Sequence, residues 1–394
     1  MKILILSISE PEKDGKGYEV LLYYRVKSLL QQGDAVTLFV LCSTVKNKKL
    51  SNNHEFFIDG NFTINYFPIG KAFTALNILK TVLFTKLPLQ VGLYSDSKMY
   101  AEILRHDKSN SFNLIISNLI RPMKNIPADL KTPVILDVLD SMSLNFHRRF
   151  KQETNFIKKK ILAFELKRLI SFEANVPSDY SVFTVAQLDL ESFKLENKFC
   201  LQLGVAETTS IKEKHSSFNR FVFAGNMNYA PNIDAFNWLR DELWPIIRKQ
   251  YPDARLFIVG RGSKRLSKID QTICLVGAVE SMTGYLSGMD VAMAPMRQGS
   301  GMQFKVLEAL SVGLPVVITQ LGLGSIQAKK DEDVYLFSDP RNLLSAIDKI
   351  HKNGNRVQQR QEFIKKFHSW TSINNKFRDE LLKISKLSVI GKSQ

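Results

Sequence analysis

Residues 294–319, APMRQGSGMQFKVLEALSVGLPVVIT, decide the fold. In order they read as a strand end, a glycine-bearing loop, a helix, a turn and a second strand. Ala309, Leu310 and Val312 give the helix its buried face. Gly313 stops it, and Pro315-Val316-Val317-Ile318 opens an unbroken apolar strand of the kind found in parallel sheets. The loop Gln298-Gly299-Ser300-Gly301 leads into a helix that begins near Met302. Free backbone amides and the helix dipole favour anions at such a point. Lys305 adds a positive charge in the first turn, and Glu308 follows on a neighbouring face. A cation for a diphosphate and a carboxylate for ribose hydroxyls are what a nucleotide-sugar site needs. The same residues also read as an ordinary turn followed by a solvated helix.

The stretch resembles the donor-site motif of the group 1 retaining glycosyltransferases. Their pattern sets two glutamates apart as positions 300 and 308 are here, the second inside an LEA-(small)-x-x-G-x-P-V-V string. Leu307-Glu308-Ala309-Leu310 with Gly313, Pro315, Val316 and Val317 matches the second half, whereas Ser300 stands in place of the first glutamate. The resemblance implies that Glu308 holds the donor ribose and that Gly299, Ser300, Gly301, Met302 and Gln303 face the sugar. Because the family glutamate contacts sugar hydroxyls, Ser300 leaves the donor sugar open. Gly225-Asn226-Met227-Asn228-Tyr229-Ala230-Pro231-Asn232 resembles a second loop of these enzymes, with Gly225 and Asn226 turned to the diphosphate. Its other reading is a tight strand–helix turn. The implied architecture is α/β of the GT-B type: two Rossmann-like doubly wound domains facing across a cleft that holds the active site. The implied reaction moves a sugar from a UDP or GDP donor to an acceptor hydroxyl, with retention, by front-face attack assisted by the leaving diphosphate. No metal and no further cofactor are expected.

Other residues fill in this expectation. Arg261, in Val259-Gly260-Arg261-Gly262, can reach phosphate or stack on a base, and would share charge stabilisation with Lys305. Gly277-Ala278-Val279 falls at the family's base-binding loop. Gly15 and Gly17 follow the first strand, where family members carry glycines facing substrate. Leu136-Asp137-Val138-Leu139-Asp140-Ser141 is similar to a strand-end stretch of related sugar transferases, with Leu139 where many members have histidine. Asp140 is the candidate to orient or deprotonate the acceptor hydroxyl, and equally an N-cap of the next helix. His147 is a weaker candidate. Glu165 and Glu173 share one predicted helix with Arg168 between them and read as ion-paired and structural.

The alternation of apolar runs with helical patterns predicts an acceptor-binding domain over 1–205 and a donor-binding domain over 219–367. The polar segment 206–218 reads as a linker, and residues 368–394 as a helix crossing back to the first domain. Hydrophobic residues make up 44% of the chain, which excludes disorder. The first residues read as a buried strand, not a signal peptide, and no apolar run is long enough to span a bilayer. Cys42, Cys200 and Cys274 have neither zinc nor disulfide spacing.

A net charge of +16 raises the question of an anionic partner. Basic residues from Arg148 to Arg168 interleave with Phe146, Phe150, Phe156, Ile157 and Ile161, a pattern that suits an anionic membrane surface or a solvated helix. No nucleic-acid-reading module matches. The expected acceptor is a surface polysaccharide or lipid-linked glycan, and the expected location cytoplasmic, peripheral on the inner face of the membrane. The competing readings are a non-catalytic GT-B protein binding glycans or partners, and a nucleotide-sugar epimerase.

Overall fold

The apolar runs become parallel strands in two sheets. The computed structural model describes residues 1–13, 15–42, 56, 60–206, 208, 218–267, 271–298 and 303–390. They fall into two units, Met1–Gln202 with Asn374–Gln394, and Leu203–Ile373. Most of the segment read as a linker, and residues 299–302, lie outside the described residues. No described helix is long and apolar enough to cross a membrane.

The first unit holds β1 (Lys2–Ser7), β2 (Ala35–Cys42), β3 (Phe62–Pro68), β4 (Leu114–Asn118), β5 (Val134–Asp137), β6 (Ser181–Thr184) and β7 (Lys198–Cys200). They order as β3-β2-β1-β4-β5-β6-β7, every pair parallel. β1 explains why its sequence is apolar throughout. Leu4 and Leu6 enter the core on one face of the sheet and Ile3 and Ile5 the core on the other. Alternate side chains point to opposite faces, so a strand covered on both must be apolar at every position.

The second unit holds β8 (Arg220–Ala224), β9 (Arg255–Val259), β10 (Ile273–Gly277), β11 (Val291–Ala294), β12 (Val316–Ile318) and β13 (Val334–Leu336), in the order β10-β9-β8-β11-β12-β13. In both sheets the chain reverses direction of travel beside the unit's first strand, at β1/β4 and at β8/β11. Crossovers on the two sides of that point diverge, leaving a crevice at the carboxyl ends of the strands, where open α/β sheets bind ligands. The helical stretch over 230–250 is three joined segments: Ala230–Trp238, a π turn over Leu239–Leu243, and Trp244–Gln250. Pro245 lies just beyond the π turn, which reroutes the backbone bonds a proline would otherwise break.

The last helix, Trp370–Ile390, belongs to the first unit from Asn374 onward. Phe377 and Leu381 enter the same core as Ile3, Ile5 and Phe183. Arg25, buried on the helix Gly17–Gln31, fastens it. Its Nε donates to Asp137 Oδ2 at 3.0 Å, its Nη1 donates to Asn374 Oδ1 at 2.8 Å, and its guanidinium lies 3.8 Å from the Phe377 ring centre.

Removing one partner of a buried ion pair strands the other. Arg25→Ala is therefore expected to destabilise the first unit by about 3–5 kcal/mol. Adding Asp137→Ala should recover part of that loss, and denaturant unfolding of the single and double variants measures both. Equal stability of Arg25→Ala and the parent chain would remove the pair from any structural role.

Candidate donor site and acceptor-side carboxylates

At the carboxyl ends of β8, β9 and β10 three loops are laced by backbone hydrogen bonds. Gly225 N–H donates to Val259 O at 2.9 Å, Met227 N–H to Arg261 O at 2.7 Å, and Gly260 N–H to Gly277 O at 2.7 Å. Gly260 has φ +128°, and a Cβ there would fall 2.0 Å from the Gly225 carbonyl oxygen. Its lack of a side chain is thus used in loop-to-loop packing. Asn226 and Arg261 both present exposed side chains from these loops.

Across the switch point lies the helix Phe304–Ser311. Val306, Leu307, Ala309 and Leu310 are buried, which leaves Lys305 and Glu308 on the remaining face. The helix begins later than the Met302 start expected, with Gln303 as an N-cap whose side chain makes no capping bond. Gly299, Ser300, Gly301 and Met302, expected to face the sugar, lie outside the described residues. Gly313 (φ +78°) ends the helix in the left-handed region, and a Cβ there would meet Val357 Cγ1 at 2.5 Å.

Lys305 reaches back to the other side of the switch point. Its Nζ donates to Asn232 Oδ1 at 2.6 Å, approaches Met296 Sδ at 3.3 Å, and lies 5.2 Å from the Phe223 ring centre. Asn232 is buried and its Nδ2 donates to Asn226 O at 2.9 Å. One amide therefore ties the loop after β8 to the helix after β11. In the sequence Asn232 is only the end of a loop motif. Burial pushes the Glu308 carboxyl up to about 7, against the pull of Lys305. Burial also brings the Lys305 ammonium down to about 8, against the pull of Glu308. The Glu308 carboxylate has no hydrogen-bond partner among the described residues, so its acceptor capacity is open to a ligand.

In the first unit Gly15 and Gly17 follow β1. Glu19 organises this loop: its carboxylate accepts the Lys16 backbone N–H at 2.6 Å, and a Cβ on Gly15 would fall 2.6 Å from the same oxygen. Gly17 starts the helix Gly17–Gln31. Asp140 follows β5, and its Oδ2 accepts from Asn145 Nδ2 at 2.7 Å. Asp140 is not the N-cap of Met142–Gln152. Ser141 is, accepting the Leu144 N–H at 3.2 Å. Burial raises the Asp140 carboxyl above its usual range, opposed by the Asn145 bond and by Arg148 and Arg121.

Two more carboxyls gather at the same strand end. Glu173 accepts from Ser141 Oγ and the Met142 N–H, both at 2.8 Å, and Asp189 accepts the Ser141 N–H at 3.0 Å. Burial pushes Asp189 up to about 6 and raises Glu173 as well. Glu165 and Glu173 are structural, but not through Arg168 as their spacing suggested. Glu165 accepts the N–H groups of Leu89 and Gln90 at 2.8 and 3.0 Å. The described residues contain no group of three or more His, Cys, Asp or Glu side chains able to hold a metal ion.

Residues 219–353 match the family model "Glycosyl transferases group 1". The chain is 21% identical over 281 residues to an uncharacterized 44.6 kDa protein in the cps region of Klebsiella pneumoniae, covering 68% of this chain and 71% of that protein. Anabaena HepE in complex with UDP superposes with a TM-score of 0.63 at 12% identity, over 97% of this chain and 100% of that one. Sucrose-phosphate synthase from Thermosynechococcus elongatus superposes with a TM-score of 0.67 at 12% identity, over 98% and 99%. At such identities the structural likeness is one of fold, whereas the family match rests on the sequence of the second unit itself. Residues 219–353 are thus similar in sequence to the group 1 glycosyl transferases, within a chain of GT-B fold.

Proposed function

We propose that this protein transfers a sugar from a nucleoside diphosphate sugar to an acceptor hydroxyl, with retention and without a metal ion. The observation that carries the reading is the bracket of Asn226, Asn232 and Lys305, with Glu308 beside it, at the switch point of the second sheet. HepE, of similar fold, binds UDP, which favours a UDP donor over a GDP one. Lys305, with Arg261, would stabilise the negative charge that grows on the departing diphosphate. Positioned cations act on such charge without reorganisation. Glu308 would accept hydrogen bonds from the ribose hydroxyls. The diphosphate oxygen would take the proton of the attacking hydroxyl on the face from which it leaves. Asp140 would orient that hydroxyl by accepting its hydrogen bond before the proton passes to the diphosphate. The acceptor is a glycan or lipid-linked glycan, met on the cytoplasmic side.

Calorimetric titration of UDP, GDP, ADP and CMP tests the donor half. One diphosphate should bind, and Glu308→Ala should weaken it by about 1.5–3 kcal/mol, the scale of a hydrogen bond to a charged group. Binding of none of the four would end the donor-site reading.

The pH dependence of that affinity has a defined sign. Binding a diphosphate needs Lys305 charged, so affinity falls as pH rises through about 8. Accepting ribose hydroxyls needs Glu308 ionised, so affinity falls as pH drops through about 7. Affinity should peak between these values. Lys305→Met should lose the alkaline limb, whereas Glu308→Gln should keep that limb and retain on the acid side only the limb that belongs to the nucleotide itself.

For the acceptor half, Asp140→Asn should lower kcat by about 10²–10⁴-fold while diphosphate affinity stays unchanged. A kcat within error of the parent would reassign Asp140 to structure.

A further inference from the structure

The helix Lys71–Phe84 is inside out. Its buried side chains are Asn77 and Thr81, while Leu76, Leu79, Leu83 and Phe84 face solvent, Leu83 at 61% and Phe84 at 80% exposure. The inward polar face is committed to the fold. Asn77 Nδ2 donates to the carbonyls of Leu93 and Ser95 at 3.3 and 2.9 Å, and a Cβ on Gly92 would fall 2.0 Å from Thr81 Oγ1. Positions 76, 79 and 83 follow helical spacing and form one stripe. A helix of a globular domain normally turns such a stripe to the core. A contiguous apolar stripe turned outward marks a surface that something else covers.

The helix Phe156–Ala174 repeats the inversion. It buries Glu165 and Glu173 beside Leu166 and Leu169, and exposes Phe156, Ile157, Ile161 and Phe164, with Ile157 at 70%. Arg168 joins the two helices. Its Nη1 donates to the carbonyls of Thr81 and Leu87 at 3.0 and 2.9 Å, around the end of the first helix. Its guanidinium also lies 4.1 Å from the Phe164 ring centre on the second. The two apolar stripes adjoin at this arginine.

The charge on the combined face has one sign. Lys158, Lys159 and Lys160 follow Ile157, and Lys80 and Lys86 flank the end of the first helix. Lys160 Nζ lies 4.4 Å from the Phe156 ring centre. Lys71–Phe84 contains no carboxylate, and both carboxylates of Phe156–Ala174 are buried. We propose that this face docks the protein on an anionic lipid surface, with Leu83, Phe84, Phe156 and Ile157 at the acyl boundary and the lysines among the headgroups. Apolar burial and attraction to anionic lipid then act together. A second copy of the chain would bring lysine cluster against lysine cluster, which repulsion opposes. The docking rests on this surface alone and not on the transferase reading.

Co-sedimentation of the full chain with phosphatidylglycerol–phosphatidylcholine vesicles, and with phosphatidylcholine alone, tests it. The protein should pellet with the anionic vesicles, less so at high salt, and little with the neutral ones. Leu83→Ser/Phe84→Ser and the charge reversal K158E/K159E/K160E should each weaken binding by at least about tenfold. Unchanged thermal melts would show that these variants fold, and diphosphate titration of the same preparations reads the donor site separately. The proposal is overturned if the parent chain stays in the supernatant with anionic vesicles, or if the apolar variant binds as well as the parent. It is equally overturned if the parent chain self-associates and Leu83→Ser/Phe84→Ser makes it monomeric, since a second copy then covers the face.

Discussion

The buried guanidinium of Arg25 holds the first unit in register. Burying a guanidinium obliges the fold to supply a full set of partners for its charge and its N–H groups. Asp137 supplies the countercharge, Asn374 an oxygen and Phe377 a ring face. Asp137 is the last residue of β5, so the pair fixes the strand end from which the chain runs on to Asp140 and Ser141. Asn374 and Phe377 stand on the C-terminal helix, so the same group fixes that helix against the sheet. Glu173 and Asp189 then hold the turn beyond β5 by taking the hydroxyl and amide of Ser141.

The second unit uses charge differently. Lys305 and Glu308 can each lose their charge, and burial draws both toward neutrality from opposite ends of the scale. An arginine at position 305 would stay charged throughout and could not respond in this way. Fixed charge positions the backbone in one unit, and adjustable charge lines the switch point of the other. Asn232 makes the second arrangement possible, because it holds the ammonium without adding a negative charge that would pin it.

The sequence made legible what depends on local pattern. β1, β2 and β11 are apolar on both faces, and only parallel strands covered on both sides require that. The helix carrying Lys305 and Glu308 was readable because its buried positions and its glycine stop lie within one short string. What stayed hidden depends on partners distant in the chain. β7 and β13 are three residues each, too short to show a period. The meeting of Asp140, Glu173 and Asp189 joins the turn after β5 to two helices, Phe156–Ala174 and Gln187–Leu190. The inversion of Lys71–Phe84 is invisible to periodicity, which finds a stripe but does not say which side the protein covers. Only Gly92 and the carbonyls of Leu93 and Ser95 decide that Asn77 and Thr81 face inward.

The division of the chain also sets an order of completion during synthesis. The second unit is one continuous segment, Leu203–Ile373, and has all its parts once that segment has emerged. The first unit begins at Met1 but draws Phe377 and Leu381 into the core that Ile3 and Ile5 share. Domains generally fold as units, the N-terminal one first as the chain leaves the ribosome. Here the unit begun first is finished last, and until it closes, the core that Leu22, Val26 and Leu29 already share with Ile3 and Ile5 lacks Phe377 and Leu381.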